Sequence, residues 1–177
     1  MRRNSPGSTI SVATRRARNT PSLAGLLRNP TQLIAFGFGA GLAPKAPGTV
    51  GSLVTVPLYL LLAPLPPAMY LALLAALFAL GVWATARAER ALGEHDHPGI
   101  VWDEVVGQLT ALFLAPVAPL WLLTGFVLFR LFDIWKPFPI RWLNDRLTGG
   151  WGIMLDDLAA GIAAAACLHG LVWLHGH

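Results

Sequence analysis

Long uncharged segments are the feature that most restricts what this 177-residue chain can fold into. Lys45 is the only charged residue between Arg28 and Arg87, and the 25 residues from Val105 to Phe129 carry no formal charge. Charged residues make up 12% of the chain, compared with about 25% in ordinary soluble domains. The mean hydropathy of +0.57 is typical of a membrane protein, and a soluble helical bundle with an unusually apolar core is the alternative.

The charges are unevenly distributed along the chain. All nine acidic residues lie at or after Glu89, whereas the first 30 residues carry six arginines and no acid. We therefore predict a flexible basic tail over residues 1–28, resembling an organelle transit peptide in composition, and one helical domain over residues 29–177. Beside apolar segments, such a tail suggests a cytoplasmic N-terminus that faces anionic lipid. Nucleic acid is not an expected partner, because no basic stripe with interleaved aromatic residues is present.

Prolines and glycines divide the rest of the chain into helices. We expect a short helix and an irregular loop over 31–51, then apolar helices over 51–64 and 67–86 that meet at a proline turn. Further helices are expected over 98–115, 119–135, 139–146, where the segment is interfacial, and 152–173, after a loop at 148–150. The predicted fold is all-α: a single-domain helical bundle and polytopic membrane protein with about four or five membrane-embedded helices.

Acidic residues cluster near the ends of these predicted helices. Acids that enter an apolar helix are unfavourable unless something binds them, which makes the cluster a candidate site. Six carboxylates and four basic residues fall near one membrane face: Asp96, Asp103, Glu104, Asp133, Asp156 and Asp157, with Lys45, Arg130, Lys136 and Arg141. Salt bridges with the arginines are the alternative interpretation for any single acid.

Magnesium is the cofactor that this set of side chains favours. Massed carboxylates repel one another, and Mg²⁺ prefers hard oxygen ligands together with substrate phosphate. Zinc would prefer histidine or cysteine, and only His95 and His97 are close enough to propose. We interpret these two histidines as supporting residues at the rim of the site.

Two pairs of adjacent acids, at positions 103–104 and 156–157, are the predicted metal ligands. Adjacent residues on a helix diverge by about 100°, so both members of one pair are not expected to reach the same centre. Gly107 and Gly161 follow the pairs by one turn, and a missing side chain there allows another helix to approach closely. The sequence therefore predicts that the two pairs come together.

Basic residues beside the predicted metal indicate an anionic substrate. Lys45, Arg130 and Lys136 are the candidates for binding phosphoryl oxygens while the metal orients or activates water. The surrounding apolar segments suggest that the phosphate belongs to a lipid. An ion- or proton-coupled transporter that uses the same acids is the alternative from another class, and a structural membrane protein with buried ion pairs is a third.

Four segments resemble, in the same order, those of the phosphatidylglycerophosphatase A family: GFGAGLAPKAPGTVGSL, HDHPGIVWDEVVGQ, FRLFDIWKPFPIRW and GGWGIMLDDLAAG. The resemblance covers residues 29–161. It implies an all-helical, magnesium-dependent phosphoric monoester hydrolase that converts phosphatidylglycerophosphate into phosphatidylglycerol in a bacterial inner membrane. We expect a multi-pass protein with its active site on the cytoplasmic side.

The roles of individual residues within these segments are our inference. Metal binding is assigned to Asp103, Glu104, Asp156 and Asp157. The catalytic set consists of these four acids and Asp133. Phosphate binding is assigned to Lys45, Arg130 and Lys136.

Overall fold

The computed structural model describes residues 20–94 and 97–176, without the side chain of Asn144. In these ranges all regular structure is helical, which confirms the predicted all-α class for this part of the chain. The helices are α1 (Leu23–Arg28), α2 (Pro30–Ala35), a 3-10 helix (Gly37–Leu42), α3 (Pro47–Leu62), α4 (Pro67–Leu92), α5 (Trp102–Leu112), α6 (Pro119–Trp135), α7 (Ile140–Arg146) and α8 (Gly149–His175).

Proline positions account for several helix starts. Pro47, Pro67 and Pro119 stand at the first turns of α3, α4 and α6, where the missing backbone N–H loses no intrahelical bond. The bounds of α6 are those predicted from the sequence. α7 confirms the short helix predicted at 139–146, and the short helix with an irregular segment predicted at 31–51 is also found.

The start of α5 differs from the prediction. We expected a helix from residue 98, but α5 begins at Trp102 because the preceding segment makes tertiary contacts. The Val101 N–H donates to the Ala35 carbonyl at 2.9 Å. A Cβ on Gly41 would lie 1.9 Å from the carbonyl oxygen of Gly99, so the backbones of the 3-10 helix and this segment are in contact.

Several further boundaries differ from the sequence prediction. α3 begins at Pro47 instead of residue 51, α4 continues to Leu92 instead of ending at 86, and α5 ends at Leu112 instead of 115. α8 starts at Gly149, so the predicted loop at 148–150 is wrong for its last two residues. α1 lies within the segment predicted as a flexible tail, where Ser22 caps the helix and Leu26 is fully buried. Residues 1–19 of that predicted tail lie outside the described residues.

α5 forms the centre of the bundle. Ten of its 11 residues are buried, and it packs against α3, α4, α6 and α8. At the end remote from the acidic residues, the Tyr59 hydroxyl donates to the Ala115 carbonyl at 2.6 Å. The Tyr70 hydroxyl donates to the Leu109 carbonyl at 2.8 Å. These two hydrogen bonds hold α3 and α4 against the far end of α5.

The outer faces of the bundle are apolar. Among the described helices, α4 and α8 are long and apolar enough to cross a membrane, which is fewer than the four or five predicted. Large apolar side chains are also exposed along α3 and α6, including Leu53, Leu61, Leu123, Val127 and Leu131. Exposed apolar surface of this extent is typical of a membrane-associated protein.

Candidate active site

A cavity of about 580 Å³ lies at one end of the bundle, where α5 and α8 begin and α6 ends. Seven charged residues line it: Asp103, Glu104, Arg130, Asp133, Lys136, Asp156 and Asp157. The structure thus brings together every predicted site residue except Lys45, which is exposed and lies outside the lining. The residues directly after Lys45, Ala46–Gly48, do line the cavity. His95 and Asp96 lie outside the described residues.

Two glycines bring the acid pairs of α5 and α8 together. A Cβ on Gly161 would lie 2.4 Å from the carbonyl oxygen of Gly107. A Cβ on Gly107 would in turn lie 2.8 Å from the carbonyl oxygen of Asp157. These distances are too short for any side chain, so the close approach predicted from the two glycines is confirmed.

Gly48 on α3 also leaves room for a site residue, and this role was not predicted from the sequence. A Cβ there would lie 1.9 Å from Glu104 Oε1 and 3.4 Å from Arg130 Nη1. The carboxylate of Glu104 therefore occupies the space left by the missing side chain. The only signal in the sequence is a glycine directly after the proline that starts α3.

Three carboxylates converge inside the cavity. Asp103, Glu104 and Asp157 each offer an oxygen, and these oxygens lie within 4.8 Å of one another. Asp103 Oδ1, Glu104 Oε2 and Asp157 Oδ2 are buried and have no hydrogen-bond partner among the described residues. Asp103 and Glu104 both belong to this group although the helical angle predicts that they diverge, because that angle separates their Cβ directions but not the ends of their side chains.

The ionised forms of the two α5 carboxyl groups are unfavourable in this arrangement unless a cation joins them. Burial raises the pKa of Asp103, and the neighbouring charge of Glu104 raises it further. Burial likewise raises the pKa of Glu104, with a further contribution from Asp157. A bound cation would replace the lost solvation and remove the mutual repulsion.

The chemistry of these donors fits Mg²⁺. All three convergent ligands are carboxylate oxygens, the hard donors that magnesium prefers, in a cavity large enough to admit water and a phosphate as well. Of the two histidines that zinc could use, His95 lies outside the described residues and His97 is bonded elsewhere. His97 Nδ1 accepts from the Gly99 N–H at 3.0 Å, and His97 Nε2 lies 3.3 Å from Thr20 Oγ1.

Two cations face the same cavity. Arg130 Nη1 lies 2.6 Å from Asp133 Oδ2 and 3.8 Å from Glu104 Oε1. Lys136 follows α6 with φ of 44° and forms an ion pair with Asp156. Burial lowers the pKa of Lys136, but the charge and hydrogen bond of Asp156, with the charges of Asp157 and Asp133, together outweigh that effect, so the pKa lies above its usual value. Lys136 is therefore a permanent cation at neutral pH.

Asp156 differs from its neighbour in its contacts. Its Oδ1 accepts the Asp157 N–H at 3.0 Å, and its other oxygen pairs with Lys136. Asp157 belongs to the convergent group, whereas Asp156 supports the lysine. Arg141 lies away from the cavity lining, where it is exposed and 3.9 Å from Asp145.

Comparison with known proteins adds independent evidence. The family model described as phosphatidylglycerophosphatase A matches residues 33–172. The chain is 41% identical over 152 residues to the phosphatidylglycerophosphatase A of Escherichia coli, an alignment that covers 85% of this chain and 86% of the relative. The Haemophilus influenzae protein of the same name is 45% identical over 148 residues, covering 82% of this chain and 91% of the relative.

A third relative has a different named substrate. It is a Bacteroides thetaiotaomicron protein, provisionally named a phosphatidylinositol-3-phosphatase, with 37% identity over 152 residues, 81% of this chain and 94% of the relative. No solved structure matches the chain. The transporter alternative finds no support among these relatives. With a family match across most of its length, the chain belongs to the phosphatidylglycerophosphatase A family.

Proposed function

We propose that this protein is a membrane lipid phosphatase that hydrolyses the terminal phosphomonoester of phosphatidylglycerophosphate to phosphatidylglycerol and phosphate. One observation carries the proposal: three convergent, buried carboxylates share a cavity with Arg130 and Lys136. Carboxylates alone would repel a phosphate, whereas carboxylates with a divalent cation and two basic residues bind it. The names of the two phosphatidylglycerophosphatase relatives support the substrate.

Arg130 and Lys136 are the phosphate-binding residues in this proposal. Arg130 presents a planar fork that matches phosphoryl oxygens, and Lys136 supplies a point charge on the other side of Asp133. Asp133 lies between them, 2.6 Å from Arg130 and 3.9 Å from Lys136, and holds both cations toward the cavity. Lys45, which is exposed beside the cavity, makes the first contact with an incoming phosphate.

Mg²⁺ is the proposed cofactor, with Asp103, Glu104 and Asp157 as its ligands and Asp156 at their side. When bound, it supplies positive charge that stabilises the phosphoryl oxygens and favours deprotonation of the attacking water. In the overall reaction, the water oxygen forms a bond to phosphorus, the bond from phosphorus to the glycerol oxygen breaks, and that oxygen takes up a proton.

We also propose that α3, α4, α6 and α8 are embedded in the bilayer, with the short α5 enclosed among them. The exposed apolar side chains of these four helices support this arrangement. The end of α4 that carries Arg87 and Arg90 meets the start of α8, because a Cβ on Gly150 would lie 2.2 Å from the Val82 carbonyl oxygen. Basic residues therefore surround the end with the cavity, which favours a cytoplasmic active site in a bacterial inner membrane.

Phosphate release by the purified protein in detergent tests this proposal. Phosphatidylglycerophosphate is supplied with Mg²⁺ or with a chelator, to the parent chain and to Asp103→Asn and Asp157→Asn, which preserve shape but remove charge. We expect release only from the parent chain with Mg²⁺, and little change for Asp145→Asn, an exposed acid outside the cavity lining. Release that is unaffected by the chelator and by both cavity variants would refute the metal site. Phosphatidylinositol 3-phosphate, suggested by the third relative, is the competing substrate.

A further inference from the structure

The mouth of the charged cavity has an apolar edge. Of the described residues that line the cavity, three are exposed: Ala46, Pro98 and Ile134. The seven charged residues of the lining are buried or half-buried. A ligand that fills this cavity therefore meets charged groups in the interior and apolar side chains at the mouth.

Ile134 is the residue of this edge that lies within a helix. Ala46 and Pro98 precede α3 and α5, whereas Ile134 is the last residue but one of α6. Its side chain lines the cavity and is nevertheless 72% exposed. Since α6 is one of the helices proposed to be embedded in the bilayer, the cavity opens toward lipid at Ile134.

Arg130, a proposed phosphate-binding residue, lies one helical turn before Ile134. Both residues line the cavity. Side chains four positions apart are neighbours on a helix surface, with Cβ atoms about 5–6 Å apart. When Arg130 binds a phosphate, the part of the molecule next to that phosphate is therefore within reach of Ile134.

An apolar stripe on α6 continues from the mouth along the outside of the bundle. It consists of Leu123, Val127, Leu131 and Ile134, of which each is more than half exposed. Spacings of three and four residues place these side chains on one face of the helix. The stripe extends about 17 Å along the helix axis, compared with about 15 Å for the hydrocarbon of one leaflet. It therefore has the length of the leaflet on the cavity side.

We infer that the lipid substrate enters the cavity sideways across Ile134, with its phosphate on Arg130 and one of its acyl chains along the apolar stripe. The charged cavity and the stripe meet at Ile134, which matches an amphiphilic molecule. A helix from a second copy of the chain would match the stripe alone. Ile134 is then a specificity-determining residue that favours a lipid phosphate over the same head group without acyl chains.

This inference rests on the proposed function, since it assumes that the substrate is a lipid phosphate. The test uses the purified full-length chain in detergent with Mg²⁺. It measures the KM of long-chain phosphatidylglycerophosphate and the inhibition constant of the deacylated head group, which carries the same phosphate. Light scattering measures the oligomeric state of each variant.

Three variants are compared with the parent chain. Ile134→Gln places an uncharged amide at the mouth, and Ile134→Leu keeps an apolar side chain of the same size. The matched control is Ile162→Gln on α8, because Ile162 is also an exposed isoleucine, at 58%, but does not line the cavity.

We expect Ile134→Gln to raise the KM of the lipid by about fivefold or more, because an acyl chain lying over the amide would displace its water without replacing the hydrogen bonds. The inhibition constant of the head group should stay nearly unchanged, since the head group has no chain to cross this position. Ile134→Leu and Ile162→Gln should match the parent chain in both constants.

An unchanged lipid KM for Ile134→Gln, or an equal rise in both constants, would overturn the inference while leaving the proposed function intact. If that variant does not fold, Ile134→Ser decides by the same two constants. A parent dimer that Ile134→Gln converts into a monomer would identify the stripe as an interface between copies and would overturn the inference as well. If the parent chain does not hydrolyse the lipid at all, the proposed function is refuted together with the inference.

Discussion

Gly161 of α8 contacts Gly107 of α5 so closely that a Cβ on Gly161 would lie 2.4 Å from the Gly107 carbonyl oxygen. Neither glycine bears a functional group, yet their contact determines how near Asp157 comes to Asp103. The geometry of the candidate metal site is therefore a consequence of helix packing one turn away from the acids. Two glycines and two acids form one structural unit.

Gly161→Ala is expected to separate α5 from α8 at the site. The added methyl would meet backbone atoms, which cannot rotate away, so overpacking should destabilise the fold by about 1 to 3 kcal/mol. The unfolding temperature in detergent and the Mg²⁺ dissociation constant measure the two consequences. Gly170→Ala in the same helix is the control, because an added Cβ there has no neighbour within 4 Å. The prediction fails if Gly161→Ala matches the Gly170→Ala variant in both measurements.

Gly48→Ala should impair the site more than the fold. The added Cβ would lie 1.9 Å from Glu104 Oε1, and that oxygen ends a flexible side chain that can move aside. We expect an unfolding temperature close to that of the parent chain and at least a tenfold loss of Mg²⁺ affinity, as for other disturbed ligands. A second substitution, Glu104→Asp, shortens the acid and should recover part of the affinity. A fully active Gly48→Ala variant would show that Glu104 need not occupy this space.

Lys136→Gln should weaken substrate binding while leaving Mg²⁺ affinity nearly unchanged. Lys136 pairs with Asp156, which is not one of the three convergent acids, and its raised pKa keeps it charged throughout the neutral range. We expect a KM for the lipid phosphate at least tenfold higher, in the range typical of a lost charge-assisted bond. Arg141→Gln, at an exposed position outside the cavity, is the control with the same loss of charge. Unfolding of the Lys136→Gln protein would indicate a structural role for the pair instead.

Much of the candidate site followed from local sequence patterns. Pro119 and the Lys136–Pro137 pair predicted where α6 begins and ends. Gly107 and Gly161 predicted the approach of the two acid pairs. Such signals are readable because they depend on residues within a turn or two. The family resemblance, confirmed by the comparisons, identified the same segments.

Other features depend on contacts between distant parts of the chain. The Glu104 carboxylate occupies space over Gly48, which is 56 positions earlier, and Gly99 packs against Gly41 instead of starting a helix. Asp103 and Glu104 were both assigned to the metal, but the helical angle alone did not predict that their oxygens converge, because side-chain length also decides where carboxylates meet. Nothing local distinguished Asp157 from Asp156 before the partner Lys136 was located.

The pH dependence of stability should reverse when Mg²⁺ is present. Burial and neighbouring carboxylates raise the pKa of Glu104 to about 8, so in the folded chain without metal this group holds its proton above the ordinary carboxyl range. The unfolded chain releases that proton at lower pH, so the free energy of unfolding of the metal-free protein should fall as the pH rises from about 5 toward 8. Protons and Mg²⁺ compete for the same oxygens, so Mg²⁺ affinity should rise over the same interval.

Unfolding temperatures measured across this interval, with a chelator and with saturating Mg²⁺, check both effects. The stabilisation by Mg²⁺ should increase toward pH 8, since ligand binding to the folded state alone adds stability in proportion to the logarithm of its affinity. The Glu104→Gln variant is the control, because a glutamine does not titrate. In this variant, both the fall in metal-free stability toward pH 8 and the rise in stabilisation by Mg²⁺ should be smaller. A chelated parent chain whose stability instead rises toward pH 8 would contradict a buried, protonated Glu104.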